Sequence, residues 1–375
     1  QQAPDWANSD SVNVVYFGGV KVAGEEIPVA GTFPNALNDL SVKTTKGCGD
    51  GKGGVEINDR NVVVNGILRV NEKQALLVKS PHTLTLKGDT VVLDGILVTE
   101  GAGELVLANP TGTTLKANAA NLYLPSITVA AGSNGNKIEG FLGLVAFATP
   151  PADICDVFTG LEVITTNDLG NLKFLANGVN QTSSLETLFA ETADAFPHLN
   201  MLQTDAHGTL TLLADVIQHG DLDHRQDARI VIAEHNYTVR GARIDLSGAA
   251  PIEGTSGTLF FNGTDQDMYI AQTSTADQPE IDANVEINLQ TSIFELHDNT
   301  SDSLTLKKNF TFRKGTMRLG DGSMPVHLAL LGKEFHLYGD AGFDVLRPGV
   351  LFLNAMNAPM QWFIYHNSPM PEVNH

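Results

Sequence analysis

Short apolar segments with alternating polar neighbours recur along this chain at a nearly constant spacing. In the first half they begin at Val62 (Val-Val-Val), Leu84 (Leu-Thr-Leu), Leu105 (Leu-Val-Leu) and Ile127 (Ile-Thr-Val), in steps of 22, 21 and 22 residues. In the second half they begin at Leu259, Ile281, Leu304, Val326 and Val350, in steps of 22, 23, 22 and 24. Alternation over a few residues marks a strand with one buried face. One coil of such strands cannot bury its apolar side alone, so neighbouring coils must stack. The pattern predicts an all-β chain: a parallel β-helix (solenoid) of roughly 22-residue coils, with one helical insertion and terminal caps.

An antiparallel meander is the competing reading. Val62-Val63-Val64-Asn65-Gly66-Ile67-Leu68 matches Val91-Val92-Leu93-Asp94-Gly95-Ile96-Leu97. Asn-Gly and Asp-Gly between apolar pairs are strong hairpin signals. A meander does not require one coil length in both halves, so the solenoid is preferred. The same dipeptides then form tight corners, with positive φ expected at the glycines.

Five segments follow from where the period holds. Residues 1–58 fall outside it. Val12-Asn13-Val14-Val15-Tyr16-Phe17, then Gly18-Gly19 and Val20-Lys21-Val22, read as a hairpin or as an extended arm with a cap. Residues 59–148 form the first solenoid run. Residues 149–207 form an irregular insertion opened by Pro150-Pro151. Within it, Ser183-Ser184-Leu185-Glu186 reads as a capping box, and Leu185, Leu188, Phe189, Ala193 and Phe196 share one helical face. Residues 208–354 form the second run. Residues 355–375, with Met360, Trp362, Phe363 and Tyr365, read as a C-terminal cap or tail.

Charge narrows the partners. The formal net charge of −20 argues against nucleic acid and against an anionic membrane surface. No run of 18 apolar residues occurs, so no membrane span is expected. The 36 glycines and 16 prolines suit a fold with many corners. The Gln1-Gln2 start is consistent with a secreted protein whose leader has been removed. The two cysteines, Cys48 and Cys155, are too few for a disulfide scaffold. Either one disulfide joins them, or both are buried thiols.

Candidate chemistry is thin. His219-Gly220-Asp221-Leu222-Asp223-His224-Arg225-Gln226-Asp227 is the densest ligand cluster, with Asp221, Asp223 and Asp227 as calcium candidates. An ordinary polar loop is the preferred reading, since Arg225 and Gln226 interrupt any EF-hand spacing and no Glu closes it. Asp265-Gln266-Asp267 and His297-Asp298-Asn299-Thr300-Ser301-Asp302 read as acidic corner turns. Gly47-Cys48-Gly49-Asp50-Gly51-Lys52-Gly53-Gly54 lacks the spacing and the following Ser or Thr of a phosphate loop. No G-x-S-x-G elbow is present. Asn-x-Ser/Thr sequons stand at Asn180, Asn236, Asn262, Asn299 and Asn309.

Two resemblances bear on function. Thr165-Thr166-Asn167-Asp168 faintly resembles the Asn-Thr-Asp element of the polygalacturonase family. The other elements of that family are missing, the nearest piece being Ala206-His207-Gly208, so no catalytic role is carried over. Gly257-Thr258-Leu259-Phe260-Phe261-Asn262-Gly263 and Leu304-Thr305-Leu306 resemble the coils of bacterial surface β-solenoids, the autotransporter passengers and filamentous-haemagglutinin-like adhesins. That resemblance implies an extracellular or cell-surface, non-enzymatic role in assembly or adhesion, with no resident cofactor. The expectation is a secreted structural subunit that pairs with identical subunits through strand edges. Val12, Val14 and Tyr16 would serve at one end, and Trp362 and Phe363 at the other. The alternative is a β-helical enzyme or binding module with a polysaccharide or cell-surface partner.

Overall fold

A computed structural model describes residues 11–24, 26–27, 36–118, 123–175, 182–190, 198–204, 208–224, 228–246, 252–269, 279–297, 303–319, 326–345, 350–353 and 361–365. The chain divides into two compact units, Gln1–Asn200 and Met201–His375. Each is a parallel β-solenoid.

In the first unit the coils build three columns of strands. One column stacks Val62–Val64, Thr83–Leu86, Glu104–Leu107, Ile127–Val129 and Leu172–Phe174, all parallel. Val62 lies opposite Leu84, Leu84 opposite Leu105, and Leu105 opposite Ile127. These are the same residues that mark the sequence period. A second column runs from Ser11–Gly18 through Ala36–Thr44, Leu68–Val70, Thr90–Leu93, Thr114–Ala117 and Asn136–Phe141 to Ser183–Phe189. A third stacks Lys21–Val22, Gly53–Ile57, Gln74–Val78, Ile96–Glu100 and Ala146–Phe147.

Two expectations change here. The N-terminal segment is not a hairpin: Ser11–Gly18 and Lys21–Val22 each pair in parallel with the following coil. Ser183–Phe189 is a strand, not a helix. Ser183, Leu185, Thr187 and Phe189 face inward at every second position. Leu185 and Phe189 satisfy a helical i, i+4 spacing equally well, and the edge of Asn136–Phe141 decides the outcome. The Ser184 hydroxyl accepts the Gly135 N–H at 2.7 Å and caps no helix. Residues 191–197 lie outside the described residues.

The helix is instead Ile154–Gly160, capped by Asp153, whose side chain accepts the N–H groups of Cys155 and Asp156. It packs Ile154, Val157 and Phe158 against Ala75, Leu77, Val98 and Phe147. The third column is therefore covered on both sides, which explains why Gln74–Val78 is buried at every position. Gly54 permits this approach: a Cβ there would meet the Ile154 Cγ1 at 2.5 Å. Cys155 at the helix start is joined by a disulfide to Cys48 in the glycine loop.

The glycines at Asn65-Gly66 and Asp94-Gly95 do form corners, but their φ values are not positive. Glycine is needed because the adjacent coil is too close. A Cβ on Gly66 would meet the Asn38 Oδ1 at 2.8 Å, and one on Gly95 would meet the Gln74 carbonyl oxygen at 2.5 Å. Corner Asn and Asp side chains bind backbone groups of neighbouring coils: Asp39 Oδ1 accepts the Ile67 N–H at 2.7 Å, and Asn136 Oδ1 accepts the Thr113 N–H at 3.0 Å.

The second unit also has three columns. Leu222–His224, Arg243–Asp245, Gln266–Tyr269 and the ends of Glu280–His297, Phe310–Leu319 and Glu334–Val345 form one of them. The three long strands turn a corner without leaving the ladder, through register shifts such as those flanking Asn288. Of the marked residues here, Ile281, Leu304 and Val350 stand in strands of one column, and Leu259 belongs to another. Ile281 lies opposite Ile252, whereas Leu259 lies opposite Val285, 26 residues on. Aromatic rings stack in the interior: Phe310 and Phe335, register partners, have centroids 5.6 Å apart and planes within 4°. No helix among the described residues is long and apolar enough to cross a membrane.

Candidate functional site

Strand alternation in the second unit places Leu222, Ile244, Met268, Phe294 and Leu296 inside. The residues between them form rows on the outer face of the sheet. Register sets the rows: Arg243 is opposite Asp267, Asp267 opposite Glu295, Glu295 opposite Arg318, and Arg318 opposite Asp344. A second row, two residues along, runs Asp223, Asp245, Tyr269 and His297.

These rows are tightly connected. Arg318 donates from Nη1 to Glu295 Oε2 and from Nε to Asp344 Oδ2, each at 3.2 Å. The hydrogen bond to Asp344, and then the charge of Glu295, raise its pKa above the ordinary guanidinium value. Arg243 pairs with Asp245 at 3.2 Å and lies over the Tyr269 ring, 4.5 Å from its centre. Tyr269 and His297 are stacked, 4.9 Å apart and 13° from parallel. His297 Nε2 stands 3.3 Å from Asp267 Oδ1 and 3.7 Å from Glu295 Oε1. Among the described residues, Asp267, Glu295 and His297 are the one group of three such side chains whose ligand atoms lie within 4.8 Å of one another.

The sequence candidates fall differently. Asp221 Oδ1 accepts the Arg243 N–H at 2.9 Å and so caps the next coil. Asp223 stands in the second outer row, opposite Asp245. Asp227 lies outside the described residues. Asp265 is a corner residue whose Oδ1 accepts the Ile293 N–H at 3.3 Å. Asp267 and His297 are not turn residues; both belong to strands. Asp168 is a cap: its carboxylate accepts from the Thr165 hydroxyl at 2.8 Å and from the Ala148 N–H at 3.2 Å. Lys52 lies over the Phe158 ring at 5.2 Å, beside the disulfide.

Comparison of the chain with family models, curated proteins and solved structures finds no match. The reading of function therefore rests on geometry.

The N-terminal strand supplies a second surface. Ser11–Gly18 pairs with Ala36–Thr44 and with no other described strand. Val12, Val14 and Tyr16 face the interior. The exposed apolar side chains are Val15, 40% exposed, and Phe17, 64% exposed. At the other end of the chain, Val350–Leu353 and Gln361–Tyr365 each pair with one described strand. Trp362 is opposite Phe335 and Phe363 opposite His336, their side chains lying outside the described residues.

Proposed function

We propose that this protein is an extracellular structural subunit that joins copies of itself end to end by parallel main-chain pairing. The observation that carries this reading is the strand Ser11–Gly18, eight residues long and paired on one side among the described residues. An edge of that length offers N–H and C=O groups to an incoming strand. Val350–Leu353 and Gln361–Tyr365 offer the complementary partner edges. Such a contact is head-to-tail, so it propagates into a filament. Inward-facing Val12, Val14 and Tyr16 would then be covered by the interior of the next copy, while Val15 and Phe17 flank the joint. The disulfide supports an oxidising, extracellular setting, and the resemblance to surface β-solenoids agrees with it.

Light scattering across concentration tests the proposal. The wild type forms growing species, and Val15→Lys/Phe17→Lys, which places charge along the edge, stays monomeric. A wild type that remains monomeric at every concentration overturns it. A second reading, a module that binds or acts on polysaccharide, is favoured by the Asp267–Glu295 carboxylate pair on one sheet face. Release of sugar products, lost in Glu295→Gln, would select it.

A further inference from the structure

The outer rows of the second unit carry five carboxylates, from Asp223, Asp245, Asp267, Glu295 and Asp344, against the guanidiniums of Arg243 and Arg318. The arginines neutralise the flanks. Arg243 pairs with Asp245, and Arg318 bridges Glu295 Oε2 and Asp344. This leaves Glu295 Oε1 and Asp267 Oδ1 converging on one imidazole nitrogen, His297 Nε2. A single N–H can serve only one of two oxygens at 3.3 and 3.7 Å. A cation placed among the three atoms would satisfy all of them.

The spacing suits a small metal ion. Tetrahedral bonds of about 2.0–2.1 Å place neighbouring ligand atoms about 3.3–3.4 Å apart. The two imidazole–carboxylate separations, 3.3 and 3.7 Å, lie within a few tenths of an ångström of that value, and all three ligand atoms lie within 4.8 Å of one another. Backbone register holds the donors: Asp267 is directly opposite Glu295, and His297 is two residues along the same strand. Stacking on Tyr269 fixes the imidazole plane. We propose that Asp267, Glu295 and His297 bind one divalent transition-metal ion of the zinc class, with its remaining coordination positions open to solvent. One imidazole nitrogen with two carboxylate oxygens fits zinc better than calcium, which takes six to eight oxygens. This inference is independent of the assembly reading.

Calorimetric titration of the metal-stripped full-length protein with zinc chloride tests it. One equivalent binds to the wild type, and its affinity falls by more than about tenfold in Asp267→Asn and in His297→Ala. Asp221→Asn leaves it unchanged. Cobalt(II) in the same site gives a visible absorption spectrum that both variants lose. Circular-dichroism melting confirms that the variants fold. If His297→Ala does not fold, the half-exposed Asp267 carries the test alone. Absence of a stoichiometric zinc site, or wild-type affinity in either folded variant, overturns the proposal.

Discussion

Gly88 lies directly against Gly66 of the preceding coil. A Cβ on Gly88 would stand 2.6 Å from the Gly66 carbonyl carbon and closer still to its oxygen. Other coil corners are built in the same way, with Gly112 against Gly135 and Gly241 against Gly220. Side-chain volume is excluded because two backbones meet there. Gly88→Ala therefore costs about 1–3 kcal/mol or more, since the overlap is with backbone that cannot rotate away. Gly19→Ala, with open space around it and no positive φ, is close to neutral. Chemical denaturation of the two variants checks the contrast.

The Cys48–Cys155 disulfide spans a sequence separation of 107 residues. By the chain-entropy account, a loop of that size contributes up to about 4–5 kcal/mol. Reduction, or Cys48→Ser, is expected to lower stability by about 2–5 kcal/mol. It also removes the tie between the glycine loop and the helix Ile154–Gly160. Hydrogen exchange after reduction should rise first in 47–54 and 154–160.

Tyr16 donates its hydroxyl hydrogen bond to Glu26 Oε1 at 2.7 Å. Burial is the largest influence on Glu26 and acts to raise its pKa. The hydrogen bonds from Tyr16 and the Gly24 N–H, with the charge of Arg60, outweigh it and hold the carboxyl below its usual range. A carboxyl depressed in the folded state contributes stability above its unfolded pKa and loses it as pH falls through the folded value. Tyr16→Phe is therefore expected to cost about 1 kcal/mol at neutral pH, with the difference from wild type vanishing in acid. Melting curves of both proteins between neutral and acidic pH measure this.

Tyr237 is fully enclosed in the second unit and donates to the side-chain oxygen of Gln218. The Gln218 amide in turn binds the Asp221 carbonyl at 2.6 Å. Burial raises the Tyr237 pKa, so the ring remains a neutral donor. Tyr237→Phe leaves the Gln218 oxygen buried without this donor and should cost about 1–3 kcal/mol. Equilibrium unfolding of the variant gives the value.

The coil stack was legible in the first half because Val62, Leu84, Leu105 and Ile127 sit in short strands of similar length, where one period equals one coil. In the second half the coils lengthen, and the long strand Glu280–His297 runs through all three columns. A fixed step then slips between columns, as Leu259 and Ile281 do. The segment Ser183–Phe189 reads as a helix from sequence because its apolar spacing serves two periods, and only the neighbouring strand chooses between them. The outer rows were not legible for a related reason. Arg243, Asp267, Glu295, Arg318 and Asp344 align only once the unequal coil lengths are known. Local context made Asp267 and His297 look like turns. The signal that finds them is charge recurring on the outer face at the observed coil steps.

End-to-end pairing predicts a specific repeat. Coils added across the joint keep the interstrand spacing of about 4.7–4.9 Å, with strands perpendicular to the growth direction. Electron micrographs of concentrated protein, with diffraction from aligned particles, test this most directly. Filaments with a reflection at that spacing along their long axis are the expected result. Discrete particles that never elongate, or filaments without that axial reflection, would contradict the account.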